Sequence, residues 1–267
     1  MIDNDVILEV KNLTKQFSGL TAVNDLNFKI RHNRLHALIG PNGAGKTTTV
    51  NMITGTLPVT SGDIIFHGES LLKKEAYQRA SIGIGRTFQN IKLFPSMTVL
   101  ENLLMGGQHH TDQSLIRFLL NPAKAKQEEK LLVEKAEDIL ASIGMYELRN
   151  EVSSSLPYGR QKMTELGRTL MTDPTLILLD EPAAGLNPSE RKEFIDIIQK
   201  TFEKGIDMFL IEHNMDVVMN LSHDITVLNF GSLIAFGSPK EIQNNDEVIT
   251  AYLGKGYREQ MKMNGGK

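Results

Sequence analysis

The chain opens with short alternating runs. Val6, Leu8 and Val10 alternate with polar residues, the period of two that marks a half-buried strand. Phe28 and Ile30 close a second such piece. Leu35 to Ile39 is a short apolar strand that runs straight into Gly40-Pro41-Asn42-Gly43-Ala44-Gly45-Lys46-Thr47-Thr48. Val50 and Ile53 follow at helical spacing, in a helix expected to stop before Gly55. Ile64 to Phe66 and Gly68 read as another strand and turn. From about Val99 to Thr172 the pattern becomes helical. Asn121-Pro122 is a good helix start, and Leu132, Ala136, Ile139 and Ile143 then make one apolar face, with lysines and glutamates on the other. Gly106 to Gln127 carries no clear pattern. Strands and helices alternate again afterwards: Leu176 to Leu179, a helix capped by Asn187-Pro188 with Phe194, Ile198 and Phe202 on one face, Met208 to Ile211, and a hairpin of Ile225 to Leu228 and Ile234 to Phe236 about Gly231-Ser232. This alternation, broken by one helical block, predicts an α/β core carrying a helical subdomain.

Composition narrows the class. The 267 residues suffice for a substantial core, and a net charge of −3 with mixed signs argues against a nucleic-acid surface. Cysteine is absent, which excludes disulfides and thiolate metal sites and fits a reducing compartment. Acids follow Met1 where a secretory signal would carry lysine or arginine, and no apolar run approaches the length of a membrane span. Any membrane role is therefore expected to run through partners.

Gly40 to Thr47 fits the pattern G-x-x-x-x-G-K-[ST] in full. Its glycines let backbone N–H groups approach phosphate oxygens where a Cβ would obstruct. A helix opening at Lys46 aims its positive end at the same phosphates. Lys46 can reach β- and γ-phosphates, and the Thr47 hydroxyl can ligate Mg²⁺. Asp180-Glu181 ends the apolar strand Leu176 to Leu179, at the carboxyl edge where α/β sheets place ligands. Asp180 suits Mg²⁺, directly or through water. Glu181, one residue on, suits a role in orienting or deprotonating an attacking water.

With these motifs the chain resembles the ATP-binding cassette (ABC) family over nearly its whole length. The resemblance implies a P-loop NTPase (RecA-like) core with an N-terminal antiparallel β subdomain and an inserted α-helical subdomain. Expected bounds are 1–98 and 172–240 for the core, 99–171 for the helical part and 241–267 for a helical tail. It also implies ATP as ligand, bound by Phe17 against adenine and by Asn42, Gly43, Ala44, Gly45, Lys46, Thr47 and Thr48 around the phosphates. Phe17 reads equally as a core residue. Gln89, within Arg86-Thr87-Phe88-Gln89, matches the glutamine that senses metal and water; His213 matches the histidine that touches the γ-phosphate. The catalytic set is thus Glu181, His213 and Gln89, and the metal set Thr47, Gln89 and Asp180. Ala184-Gly185-Leu186-Asn187 stands where a loop crosses between two subunits, with Asn187 in place of the usual aspartate.

The family signature, Leu-Ser-Gly-Gly-Gln opening a helix, corresponds here to Leu156-Pro157-Tyr158-Gly159-Arg160, followed by Gln161. Pro157 removes a hydroxyl and a backbone donor. Gly159 survives, and so does the helix behind it, with Met163, Leu166 and Leu170 on its buried face. In this family the signature of one subunit completes the ATP site of another. One copy of each motif per chain therefore implies pairing, with itself or a paralogue, beneath transmembrane permease subunits. Asn90 to Leu104 matches the surface on which membrane coupling helices dock, with Phe94, Pro95 and Met97 as contacts; packing between core and helical subdomain explains them as well. Arg86 to Asn90, Pro157-Tyr158-Gly159, Glu181 to Asn187 and Ala251-Tyr252-Leu253-Gly254 together look like the ATPases of branched-chain amino acid importers. That likeness implies a peripheral place on the cytoplasmic face of the cell membrane, an extracytoplasmic substrate-binding protein as indirect partner, and no nucleic acid. A regulatory or non-transport ABC ATPase, and an exporter ATPase, stay open as alternatives.

Overall fold

A computed structural model describes residues 5–107 and 122–253. Two sheets organise the chain. The first is antiparallel, in the order β2 (Leu20–Arg31), β1 (Val6–Phe17), β4 (Ser61–Phe66), β5 (Glu69–Ser70). The second has six strands in the order β10 (Ser232–Gly237), β9 (Asp224–Asn229), β3 (His36–Ile39), β8 (Asp207–Ile211), β7 (Leu176–Asp180), β6 (Ile84–Thr87). All its pairings are parallel except the β9–β10 hairpin.

The parallel strands are apolar on both faces, and their alternation divides two cores. Leu176 and Leu178 of β7 and Phe209 and Ile211 of β8 face the antiparallel sheet and α1 (Lys46–Ile53). Ile177, Leu179, Met208 and Leu210 face the other way, into a core closed by helices. Those helices include α3 (Val99–Gly107), α4 (Pro122–Ser142), α5 (Tyr158–Leu170) and α6 (Pro188–Glu203). Smaller helices complete the chain: α2 (Ala76–Ser81) before β6, α7 (Met215–Leu221) before β9, and α8 (Pro239–Gln243) and α9 (Asp246–Leu253) after β10. No helix among the described residues is long and apolar enough to cross a membrane.

The predicted faces hold. Ala136 and Ile143 of the α4 stripe are buried, joined by Leu140, while Leu132 and Ile139 pack at its margin. Met163, Leu166 and Leu170 of α5 are buried, as are Phe194 and Ile198 of α6. Asn187 caps α6: its side chain accepts from Glu190 N at 3.0 Å, and Glu190 returns the bond to Asn187 N at 3.1 Å. The helical pattern expected from Val99 to Thr172 is interrupted between α4 and α5, where only short 3₁₀ turns form and Thr98 bridges Val152. Buried Asn102 and Ser153 bond to each other at 2.7 Å and both bond Met97 O, so side chains rather than a helix satisfy this backbone. Asn121, Gly254 and most of Gly106 to Gln127 lie outside the described residues or at their edge.

His36, at the start of β3, is fully buried in a triangle of rings with Phe28 and Phe209, each centroid 5.6 Å from the other two, and it shares a hydrogen bond of 2.8 Å with Thr226 Oγ1. Burial pushes its pKa down from 6.5 to about 4, so it folds as neutral imidazole. Between those two values the unfolded chain binds a proton that the folded chain refuses, and stability therefore falls as pH drops through the window. Urea unfolding at pH 7 and pH 5 is expected to show a stability loss that is smaller by about 2 kcal/mol in His36→Gln than in the wild type.

Candidate functional site

Four parallel strands end at one edge of the second sheet, and each releases a polar residue there. β3 leads into the glycine-rich loop. Gly40, at φ 154°, has no room for a side chain because a Cβ would strike Leu228 O and Ala44. Gly45 has φ 100°, and a Cβ there would lie 2.6 Å from Ala22 O. Gly45 is also the N-cap of α1, with no side-chain cap and no acid in the first turn. The first N–H groups of that helix are thus left for an external anion. Lys46 is buried and donates from Nζ to Gly40 O at 2.7 Å and Pro41 O at 3.1 Å. Burial lowers its pKa, against the pull of Glu181 and Asp180. Asn42, Gly43 and Thr47 are exposed beside it, Thr48 is half-buried, and Ala44 is buried.

β7 delivers Asp180 and Glu181. Asp180 is buried and accepts from Arg86 Nη2 at 2.7 Å. Arg86, on β6, also donates to Asn51 Oδ1 at 2.7 Å and stacks over the Phe88 ring at 4.8 Å. This guanidinium therefore ties β6 to β7 and to α1. Glu181 takes the left-handed conformation at φ 48°, unusual for a residue with a side chain, and its N–H bonds Ile211 O at 2.8 Å. The turn swings its carboxylate off the sheet edge. Its Oε2 accepts from Gln89 Nε2 at 2.9 Å, just beyond β6, and lies 3.5 Å from His213 Nδ1, just beyond β8. The three residues assigned to catalysis thus converge on one oxygen atom. Gln89 and His213 are exposed, and Glu181 is mostly shielded.

The remaining assigned residues lie on other elements. Phe17 is 42% exposed at the end of β1 with Lys15 Nζ 5.0 Å from its ring centroid, so it is presented to solvent rather than packed in a core. Pro157 forms the N-cap of α5 at φ −53°, again with no side-chain cap and no first-turn acid. The Tyr158 ring lies over Gly185, where a Cβ would come within 2.9 Å of it. A Cβ on Gly159 would meet the Glu190 carboxylate at 3.0 Å. Tyr158 and Gly159 thus dock the start of α5 onto the 184–187 loop and α6. Phe94 and Pro95 are exposed and Met97 is half-buried; Phe94 lines a groove of about 390 Å³ with Phe88, Ile84, Arg86 and Arg168.

Several working residues escape a reading of the sequence alone. Glu212 is 1% exposed and accepts from Ala183 N at 3.0 Å, His213 N at 2.9 Å and Asn214 N at 3.0 Å, so one carboxylate sets the loops carrying Glu181 and His213 at a fixed distance. Lys162 and Glu165 of α5 are buried charges inside an apolar face. The signal that marks them is a charged residue at a core-facing helical position, or a glutamate ending an apolar strand. The metal set fits the chemistry of a hard cation: the Thr47 hydroxyl, the Asp180 carboxylate and the Gln89 carbonyl, left over when its amide nitrogen bonds Glu181, are all oxygen ligands.

This arrangement of phosphate loop, strand-end acids and histidine, with a second helix start nearby, is that of a nucleotide-processing cassette. The chain belongs to the ABC transporter family: the profile described as "ABC transporter" matches residues 23–184, and that of "Branched-chain amino acid ATP-binding cassette transporter" matches 232–258. It is 40% identical over 250 residues to the high-affinity branched-chain amino acid transport ATP-binding protein BraF of Pseudomonas aeruginosa, covering 93% of this chain and 98% of that one. The corresponding LivG protein of Escherichia coli K12 gives the same identity and coverage, 40%, 93% and 98%. Among solved structures, a nucleotide-free ATP-binding cassette from an ABC transporter superposes with TM-score 0.81 at 33% identity, over 94% of this chain and 100% of that one. A cassette in its ADP conformation does so with the same score and identity, over 94% and 99%. The fold is thus the α/β P-loop type with an antiparallel β subdomain.

Arg86 bonds the Asp180 carboxylate directly, and both side chains are largely buried, at 10% and 4% exposure. Removing one member of such a pair strands the other charge. Arg86→Met is expected to lower unfolding stability by roughly 3 kcal/mol, measured by urea denaturation at pH 7.

Proposed function

We propose that this chain is the ATP-hydrolysing subunit of an ABC importer for branched-chain or similar amino acids. The observation that carries the reading is the shared oxygen of Glu181, held by Gln89 and His213 beside a phosphate loop whose helix N–H groups are uncapped. The names of the two relatives above, both branched-chain amino acid transport ATP-binding proteins, supply the substrate class.

On this reading the loop from Asn42 to Thr48 grips the phosphates through backbone N–H groups, with Lys46 moving from the loop carbonyls to β- and γ-oxygens. Phe17 offers its exposed ring to the adenine. Thr47, Asp180 and Gln89 would hold Mg²⁺, which would supply charge neutralisation for the phosphates. Glu181 accepts the proton of the attacking water, Gln89 orients that water, and His213 donates toward the γ-phosphate. The uncapped start of α5, at Pro157, Tyr158 and Gly159, meets the nucleotide of a second cassette, a paralogue or another copy. Residues 99–171 form the helical unit that carries the signature.

The pair works on the cytoplasmic face of the membrane. Transmembrane permease subunits dock in the groove beside Phe94, and an extracytoplasmic substrate-binding protein delivers the amino acid to them. ATP favours the closed pair, and loss of the γ-phosphate reopens it, because the charge–dipole contacts across the gap go with it. A regulatory cassette that binds without hydrolysing would lack a use for the Glu181–Gln89–His213 constellation.

Two measurements check this. Glu181→Gln is expected to retain ATP binding while steady-state Mg²⁺-dependent hydrolysis falls at least ~100-fold, the range lost with a general base; near-normal turnover removes Glu181 from that role. Mixing wild-type chain with a Lys46→Ala copy is expected to poison turnover if two copies share sites. Turnover that appears only with a paralogous ATPase and permease subunits would instead assign a mixed pair.

A further inference from the structure

The catalytic side chains come from strand ends, yet two of the loops that carry them are fastened to α5. Lys162 is 3% exposed and donates from Nζ to the backbone carbonyl of Glu181 at 3.1 Å. Glu165, one turn further on, is 2% exposed, and its Oε1 accepts from Lys92 N at 3.0 Å. The backbone amide of Phe88 faces the same carboxylate. Phe88 and Lys92 bracket Gln89, so a single side chain holds both ends of the loop that presents it. Burial raises the pKa of Glu165 and lowers that of Lys162. A buried carboxylate and a buried ammonium within one helical turn are costly features that an apolar stripe would ordinarily exclude.

The surrounding contacts give the pair a direction. Lys162 Nζ also lies 5.6 Å from the ring centroid of Tyr158 at the start of α5. The Tyr158 ring in turn covers Gly185, four residues beyond Glu181. The helix whose first turn meets a second cassette's nucleotide is therefore the same rigid body that grips this chain's own Gln89 loop and Glu181 backbone.

We propose that Glu165, with Lys162, is a positioning residue for hydrolysis: it sets Gln89 and Glu181 in register by fastening their loops to the signature helix. This rests on the proposed ATPase function. Neither residue touches nucleotide or water; each acts through the group it holds.

The test uses the full chain assembled with its membrane subunits and partner ATPase, and compares wild type, Glu165→Gln, Gln89→Ala and the double variant. Glu165→Gln keeps shape but turns an amide nitrogen toward backbone N–H donors. It is expected to lower kcat for ATP about tenfold with KM for ATP changed less than twofold. The double variant is expected to be no slower than Gln89→Ala alone, since both substitutions break one arrangement. A merely structural role would make the two losses multiply, and that result, or an unchanged kcat, or a rise in KM alone, overturns the proposal. A wild-type assembly without turnover is a failure of the ATPase reading instead. In that case, or if Glu165→Gln does not fold, hydrogen exchange on the unmodified chain decides: the amides of Phe88 and Lys92 are expected to exchange at least tenfold more slowly than those of Gln89 and Asn90, and equal rates overturn it.

Discussion

Burial on both faces of the parallel sheet governs where chemistry can appear in this protein. Along β3, β7 and β8 successive side chains enter one apolar core and then the other, which leaves no face for a polar group to reach solvent or ligand. Groups that can meet a ligand are released where the strands stop. Because the pairings are parallel, Thr87 lies level with Leu179 and Asp180 with Ile211, so the strands stop together. Lys46, Asp180, Glu181, Gln89, Glu212 and His213 are neighbours for that reason, although they are far apart in sequence.

The charges gathered at this edge are arranged so that none is left buried alone. Asp180 has the Arg86 guanidinium, Glu212 has three backbone amides, and Lys46 and Lys162 each have carbonyl oxygens and nearby carboxylates. Satisfied networks of this kind hold loops rigidly, because moving one member exposes an unpaired buried charge. Gln89, His213 and Thr47 remain exposed amid this fixed frame. The parts that meet ligand are accessible, and the parts that aim them are not.

Much of the frame was legible in the sequence because its signals are local. An apolar run with acids at its end marks β7, Asn187-Pro188 marks the cap of α6, and the phosphate loop carries its own spacing. β6 gave no such signal: Ile84-Gly85-Arg86-Thr87 has one large apolar residue, and its arginine is satisfied by distant partners, Asn51 on α1 and Asp180, 94 residues away. α7 is one short helix announced by Asn214, whose side chain accepts from Asp216 N and Val217 N. Glu165, Lys162 and Glu212 were illegible for a different reason. Helical and strand periodicity assign charges to the surface, and only the tertiary structure supplies the amides and carbonyls that let these three go inside. Gln89, Glu181 and His213, named from motifs, do come together, while the residues that hold them in place are found only by asking what each buried charge touches.

The left-handed backbone of Glu181 bears on how this cassette can diverge. Residues tolerate that conformation unequally: glycine, asparagine and aspartate enter it readily, and branched side chains do not. A duplicate gene released from selection for hydrolysis could therefore drift at this codon to aspartate or glycine and still fold. Drift to valine would break the turn and the protein with it. A degenerate sister cassette is expected to carry its history in the small set of residues that this one peptide geometry admits.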